Sequence, residues 1–249
     1  MKDMITYIYE EGFQGLLSAI YEAFYAKERP EAIVSQRDHQ ATLHSVPVWV
    51  MINNEKADKV YKAIADKISK HALRYIYYAF LSDSREKGIR IYDYLKLGFK
   101  EGSKVDLYVA DQRVKALHDL YAKVAIEKHR MHGLVRFQLL ENGIYYARIE
   151  PDHDIAELLA PHFSKRLADQ HWIIHDLARE KAVLYNQREW ISTILTEKDL
   201  PPLKEEEHVV QEIWKKYFRH IAIAERKNQK VQRNFMPKRY WKHLTEIDE

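Results

Sequence analysis

The chain of 249 residues contains no cysteine. That absence excludes disulfides, thiol nucleophiles, zinc sites built on cysteine and any iron–sulfur cluster held by this chain alone. It also excludes the zinc-deaminase signature, which needs two cysteines. Glycine is scarce, with seven residues, and neither GxGxxG nor GxxxxGK[ST] occurs, so no glycine-rich phosphate loop is present. Nothing resembles a nucleophile elbow. No apolar run approaches membrane-spanning length, and the N-terminus shows no signal-peptide core. These features predict a cytoplasmic protein with no membrane partner.

What the chain has is 46% hydrophobic and 31% charged residues, 17 Tyr and 5 Trp, enough for a substantial core. Net charge is only +3, so a nucleic-acid surface requires local clustering of cations. Clustering occurs near the C-terminus. Lys215, Lys216, Arg219, Arg226, Lys227, Lys230, Arg233, Lys238, Arg239 and Lys242 stand there against a single acid, Glu225. Phe235, Tyr240 and Trp241 are interleaved with them. Cations neutralise phosphates, and aromatic faces stack on bases. This pattern makes Arg226, Lys227, Lys230, Arg233, Lys238, Arg239, Tyr240 and Trp241 the candidate nucleic-acid contacts. The alternative is that the Tyr–Trp pair only docks the chain end on its own core. Both hold if Tyr240 and Trp241 anchor while Lys238 and Arg239 face a ligand.

Hydrophobic periodicity predicts an α+β protein, read as a single domain over 1–249 with a basic helix and tail over 205–249. Met4–Glu10 is strand-like. Gly12 opens a helix carrying Phe13, Leu16, Leu17, Ile20 and Phe24, and Ala41–Ile52 is β-like. Asn54 is the expected cap of a helix striped by Ala57, Val60, Tyr61, Ile64 and Ile68. Two or three helices continue to about Arg130, with Gly88, Gly98 and Gly102 as their punctuation. Two strand-like runs, 135–140 and 144–149, flank Asn142-Gly143, the strongest hairpin signal in the chain. A helix follows Pro151, with Asp152 or Asp154 as its cap. A second strand pair is expected over 171–176 and 182–185. Last comes a long helix over 205–227 whose buried side is Val209, Val210, Ile213, Tyr217, Ile221 and Ala224.

The thirteen histidines invite a metal reading, but their spacing does not support one, and no metal is assigned. His171 and His175 fall on a strand, where i and i+4 lie roughly 13 Å apart. His129 and His132 lack the acidic partner of an HExxH arrangement. His162 and Arg166 lie one helical turn apart, a pairing suited to phosphate binding or proton transfer. With His175, Asp176 and Arg179 they form the candidate catalytic group, should the fold bring them together.

Four segments carry a resemblance. They are Tyr9-Glu10-Glu11-Gly12-Phe13-Gln14-Gly15 continuing to Ala23; Glu127-Lys128-His129-Arg130-Met131-His132-Gly133 continuing to Phe137; Ile149-Glu150-Pro151-Asp152-His153 through Pro161-His162-Phe163-Ser164-Lys165-Arg166 to Trp172-Ile173-Ile174-His175-Asp176 and Arg179; and Arg226-Lys227-Asn228 with Met236-Pro237-Lys238-Arg239-Tyr240-Trp241. In these the chain resembles the bacterial DUF4130 family associated with DNA metabolism and DNA repair. The resemblance implies a companion of a radical-SAM DNA modification or repair protein, in a stand-alone form without the uracil-DNA-glycosylase-like domain joined to some relatives. Lacking cysteine, the chain would leave the cluster to that partner and need no cofactor of its own. The expected role is DNA binding as an accessory. The alternatives are an enzyme acting on DNA or a nucleotide through the His/Arg/Asp group, or a docking module that touches no DNA.

Overall fold

A computed structural model describes residues 4–41, 45–221 and 228–247. It is an α+β structure that divides into two compact units, Met1–Ala125 and Ile126–Glu249.

In the first unit, β1 (Met4–Tyr9) is the centre of a three-stranded parallel sheet. It pairs with β2 (Ala32–Ser35) on one edge and β3 (Ser45–Val50) on the other. Parallel strands need a crossover, which α1 (Phe13–Tyr25) supplies between β1 and β2. The expected face of α1 is buried through Leu16, Leu17 and Ile20. Helices α2 (Asn54–Lys67), α3 (Lys70–Phe80) and α4 (Lys87–Glu101) complete the layer and bury Ile64, Ile76, Ile91 and Leu95. A 3-10 turn over Gly102–Leu107 then leads to α5 (Gln112–Leu134).

Two expectations for this unit are corrected. The cap of α2 is Asn53, whose side chain accepts from the Lys56 amide at 3.0 Å, and Asn54 is the first helical residue. Gly88 and Gly98 lie inside α4 and do not punctuate it; only Gly102, with φ 64°, ends it. Their scarce side-chain volume serves packing. A Cβ on Gly88 would stand 2.1 Å from the Ile33 carbonyl oxygen, and one on Gly98 would stand 2.6 Å from Ile68 Cδ1.

The second unit holds a five-stranded sheet of order β4-β5-β6-β7-β8, with β4 at Gln138–Leu139, β5 at Tyr145–Ile149, β6 at Trp172–Asp176, β7 at Lys181–Tyr185 and β8 at Trp190–Ile194. The predicted hairpins are both present. Gly143, at φ 81°, supplies the left-handed residue of the first turn. The helix α6 (Ala156–Arg166) joins them, so β5 and β6 pair in parallel and the two hairpins form one sheet. Strands β2 and β8 were not expected.

Asp152 and Asp154 do not cap α6. Its N-cap is Ile155, without a side-chain cap. Charge-assisted pairing takes both carboxylates elsewhere: Asp154 accepts from Lys181 Nζ at 3.1 Å, and Asp152 pairs with Arg239 at 2.8 Å. The long helix α7 (Glu207–Ile221) is present, but its orientation reverses the expectation. Val209, Val210, Ile213, Tyr217 and Ile221 are each more than half exposed. Ala224 lies outside the described residues. Buried Glu207 turns inward instead and accepts from the Leu139 amide at 2.9 Å, while Gln211 and Lys215 are half-buried on the same side.

Candidate nucleic-acid interface

After α7 the described chain resumes at Asn228, whose side chain caps α8 (Gln229–Phe235) by accepting from the Val231 amide at 3.1 Å. Pro237 fixes φ ahead of a 3-10 turn over Lys238–His243. This turn is anchored, not loose. Tyr240 is buried, and its hydroxyl donates to Glu127 on α5. Glu127 is itself buried and accepts from the amides of Asp152 and His153, both at 2.8 Å. One carboxylate therefore holds a loop and the tail together within this unit. Burial, and then the hydrogen bond to Glu127, push the Tyr240 pKa up, so the phenol stays protonated. Half-buried Trp241 adds a second anchor, its indole N–H donating to the Met236 carbonyl at 2.9 Å.

The tail cations differ from one another. Arg239 donates to the Tyr240 hydroxyl at 2.9 Å, pairs with Asp152, and lies 4.7 Å from the Tyr240 ring centre. Lys238 is exposed, 5.8 Å above the Trp241 ring. Lys230 and Arg233 are exposed on α8, and Phe235 is the outward aromatic, 72% exposed. Arg226 and Lys227 lie outside the described residues.

Beside the tail is a cleft of about 260 Å³ lined by Arg136, Gln138, Arg148, Gln211, Lys215, Lys242, His243, Leu244 and Thr245. It gathers four cations from the segment before β4, from β5, from α7 and from the tail, and among the described residues no carboxylate lines it. Each of the four cations also pairs with a carboxylate that is not among the lining residues. Glu246 takes Arg136 at 2.5 and 3.1 Å, Glu150 takes Lys242 at 2.6 Å, Glu197 lies 3.7 Å from Arg148, and Glu212 lies 3.3 Å from Lys215. The Lys242 ammonium holds the Glu150 carboxyl below its ordinary range. Burial pushes the His243 pKa down despite Glu150 at 3.2 Å, so this ring is neutral near pH 7. The cleft can take an anion by charge and by the amides of Gln138 and Gln211. Arg136, Arg148, Lys215, Lys242 and His243 were not among the expected contacts. Arg136, Gln138 and Arg148 share one face of the first hairpin, and that alternation is the signal that could have found them.

The His/Arg/Asp group does not line this cleft. His175 is buried on the face it shares with Tyr146, bonded through Nδ1 to the Tyr146 hydroxyl at 2.8 Å, and burial pushes its pKa down. Asp176 points to the other face, where α6 packs through Phe163 against Trp172. There Asp176 pairs with Arg179 at 2.8 Å, and Arg179 also donates to the carbonyls of Pro151 and Asp152. His162 on α6 stacks on His132, with ring centres 4.2 Å apart and planes at 10°. Arg166 is exposed. The sheet thus separates His175 from the other four, and Asp176 with Arg179 braces the loop before α6. Among the described residues, no cluster of three or more metal-ligating side chains occurs. No helix among them is long and apolar enough to cross a membrane.

Fold and cleft together define an α+β protein with a cationic cleft closed on one side by its own C-terminal turn. The chain belongs to the DUF4130 family, a domain of unknown function, whose model matches residues 85–246. The match takes in three of the four segments that carried the resemblance; Tyr9–Ala23 lies before it. None of the curated proteins matches the sequence.

Proposed function

We propose that this protein binds DNA through the cleft and the outward cations of the tail, as an accessory to a radical-SAM repair or modification protein. One observation carries the DNA reading: four cations converge in a cleft that no described carboxylate lines, with exposed Lys230, Arg233, Lys238 and Phe235 on the adjoining segment. Phosphates would meet Arg148, Lys215 and Lys242. An unpaired base would stack on Phe235, because Tyr240 is buried as an anchor. The radical-SAM partner rests on the family resemblance and on the absence of cysteine from this chain. Enzymatic use of His162, Arg166, His175, Asp176 and Arg179 is disfavoured because the sheet divides them.

The test is fluorescence anisotropy of a labelled short DNA across a salt series. Replacing Arg148 and Lys215 together by Gln removes two phosphate contacts. The slope of log K against log salt is expected to shrink by about 1.4 to 1.8, since each contact contributes about 0.7 to 0.9. Binding that is absent at low salt, or a folded double variant with an unchanged slope, would overturn this reading. Arg239→Ala is the less clean choice, because it also disturbs the network around Tyr240.

A further inference from the structure

A surface helix normally turns its apolar stripe to the protein and its polar face to water. Helix α7 does the opposite. Glu207, Gln211 and Lys215 face its own unit, while Val209, Val210, Ile213, Trp214, Tyr217 and Ile221 are 40–61% exposed. The outward residues recur at the i, i+4 and i+8 spacing of a continuous seam. Part of the seam is already ordered, since the Trp214 and Tyr217 rings lie 5.6 Å apart and the Trp214 indole donates to Glu246 at 3.2 Å. Such a face is a contact surface awaiting its other half.

We propose that the other half is α7 of a second copy, paired antiparallel about a two-fold axis through Ile213. Charge and register both select this occupant. Charge is unevenly distributed along this segment, with Glu205 and Glu206 in the turn just before α7 and Lys216, Arg219 and His220 toward its end. An antiparallel pair centred on Ile213 sets Val209 against Tyr217 and Ile213 against its own copy. It also lays Glu205 and Glu206 of each chain beside Arg219 and His220 of the other. A parallel pair would set like charges together. The six outward side chains offer on the order of 600 Å² per chain, so pairing buries at most about 1,200 Å², the lower end of the range for a specific interface. Residues two apart on a helix point about 200° apart, so pairing through Ile213 leaves Gln211, Lys215 and the basic cleft open. The proposal therefore stands whether or not the cleft binds DNA.

The absence of cysteine makes the test direct. Ile213→Cys places a lone thiol on the two-fold axis, and Arg188→Cys places one on an exposed loop away from it. Under a mild oxidant Ile213→Cys is expected to give a disulfide-linked dimer rapidly, and Arg188→Cys is not. Sedimentation velocity at tens of micromolar is expected to show twice the 29.7 kDa chain mass, with Ile213→Asp reverting to monomer at unchanged helicity. A monomeric parent at that concentration would overturn the proposal. So would cross-linking of Ile213→Cys no faster than of the control, or an Ile213→Asp variant that remains dimeric.

Discussion

Glu127→Ala is expected to lower the stability of the second unit by about 3–5 kcal/mol, read as a fall in the urea midpoint. The substitution removes the acceptor for three donors at once: the amides of Asp152 and His153 and the hydroxyl of Tyr240. A buried donor left without a partner costs about 1–3 kcal/mol, and removal of the carboxylate's own desolvation penalty offsets part of the sum. Arg239 loses a nearby charge too, since its guanidinium lies 3.9 Å from Glu127. The tail should loosen before the sheet does. Trypsin should then cut after Lys238 and Arg239 faster in the variant than in the parent under native conditions. Tyr240→Phe removes one of the three bonds and leaves the loop amides satisfied, so its cost should be about 1–2 kcal/mol. If Glu127→Ala keeps the parental midpoint and the parental cleavage rate, the carboxylate does not hold the loop and tail together.

That prediction bears on the nucleic-acid reading, because the same turn anchors and presents. Tyr240 and Trp241 point inward and Lys238 points outward, which is the division of labour expected from the alternation of aromatic and basic residues. Arg239 departs from it. Its guanidinium is committed to Asp152 and Tyr240, so it contributes to the anchor as much as to the surface.

Local signals were legible where one periodicity or one turn decides the outcome. The stripe of α1, the Asn142-Gly143 turn and the strands on either side of α6 are of this kind. Signals that depend on a distant partner were not. Gly88 and Gly98 look like breaks along the sequence, yet each sits inside α4 where Ile33 or Ile68 from another element comes too close for a Cβ. Asp152 and Asp154 satisfy every rule for a cap, but Arg239 and Lys181 outbid the backbone amides by charge. The clearest failure is α7. An apolar stripe says that a face wants cover and does not say whose, so Val209, Ile213 and Tyr217 could not be assigned from periodicity alone. The cleft was hidden for a related reason. Its four cations come from separate stretches of the chain, and only Lys215 and Lys242 belong to the basic run visible in sequence. The His/Arg/Asp group shows the converse: adjacency of His175 and Asp176 in sequence places them on opposite faces of β6.

The stacked pair of His132 and His162 leads to the second large effect, a loss of stability in mild acid. Neither Nε2 atom has a hydrogen-bond partner among the described residues, and the rings stack face to face, so protonating one sets a positive charge against its neighbour without a hydrogen bond to stabilise it. Burial, His162, Lys128 and His129 together hold the His132 pKa at about 4, below the ordinary 6.5. A base whose folded pKa is depressed favours the neutral folded form. Its contribution is therefore present above about pH 6.5 and is lost as pH falls from there toward 4, where the unfolded chain takes up the proton first. Full linkage over that interval would exceed 3 kcal/mol; partial exposure of the ring reduces the expectation to about 2 kcal/mol. His175 and His243, both also depressed, act in the same direction. The measurement is therefore a difference. His132→Phe keeps a ring on His162 and removes the titrating group. Urea midpoints of parent and variant should diverge between pH 7.5 and pH 4.5, with the variant losing less stability by about 2 kcal/mol. Parallel pH profiles for the two proteins would show that His132 takes up its proton in the folded state as easily as in the unfolded one.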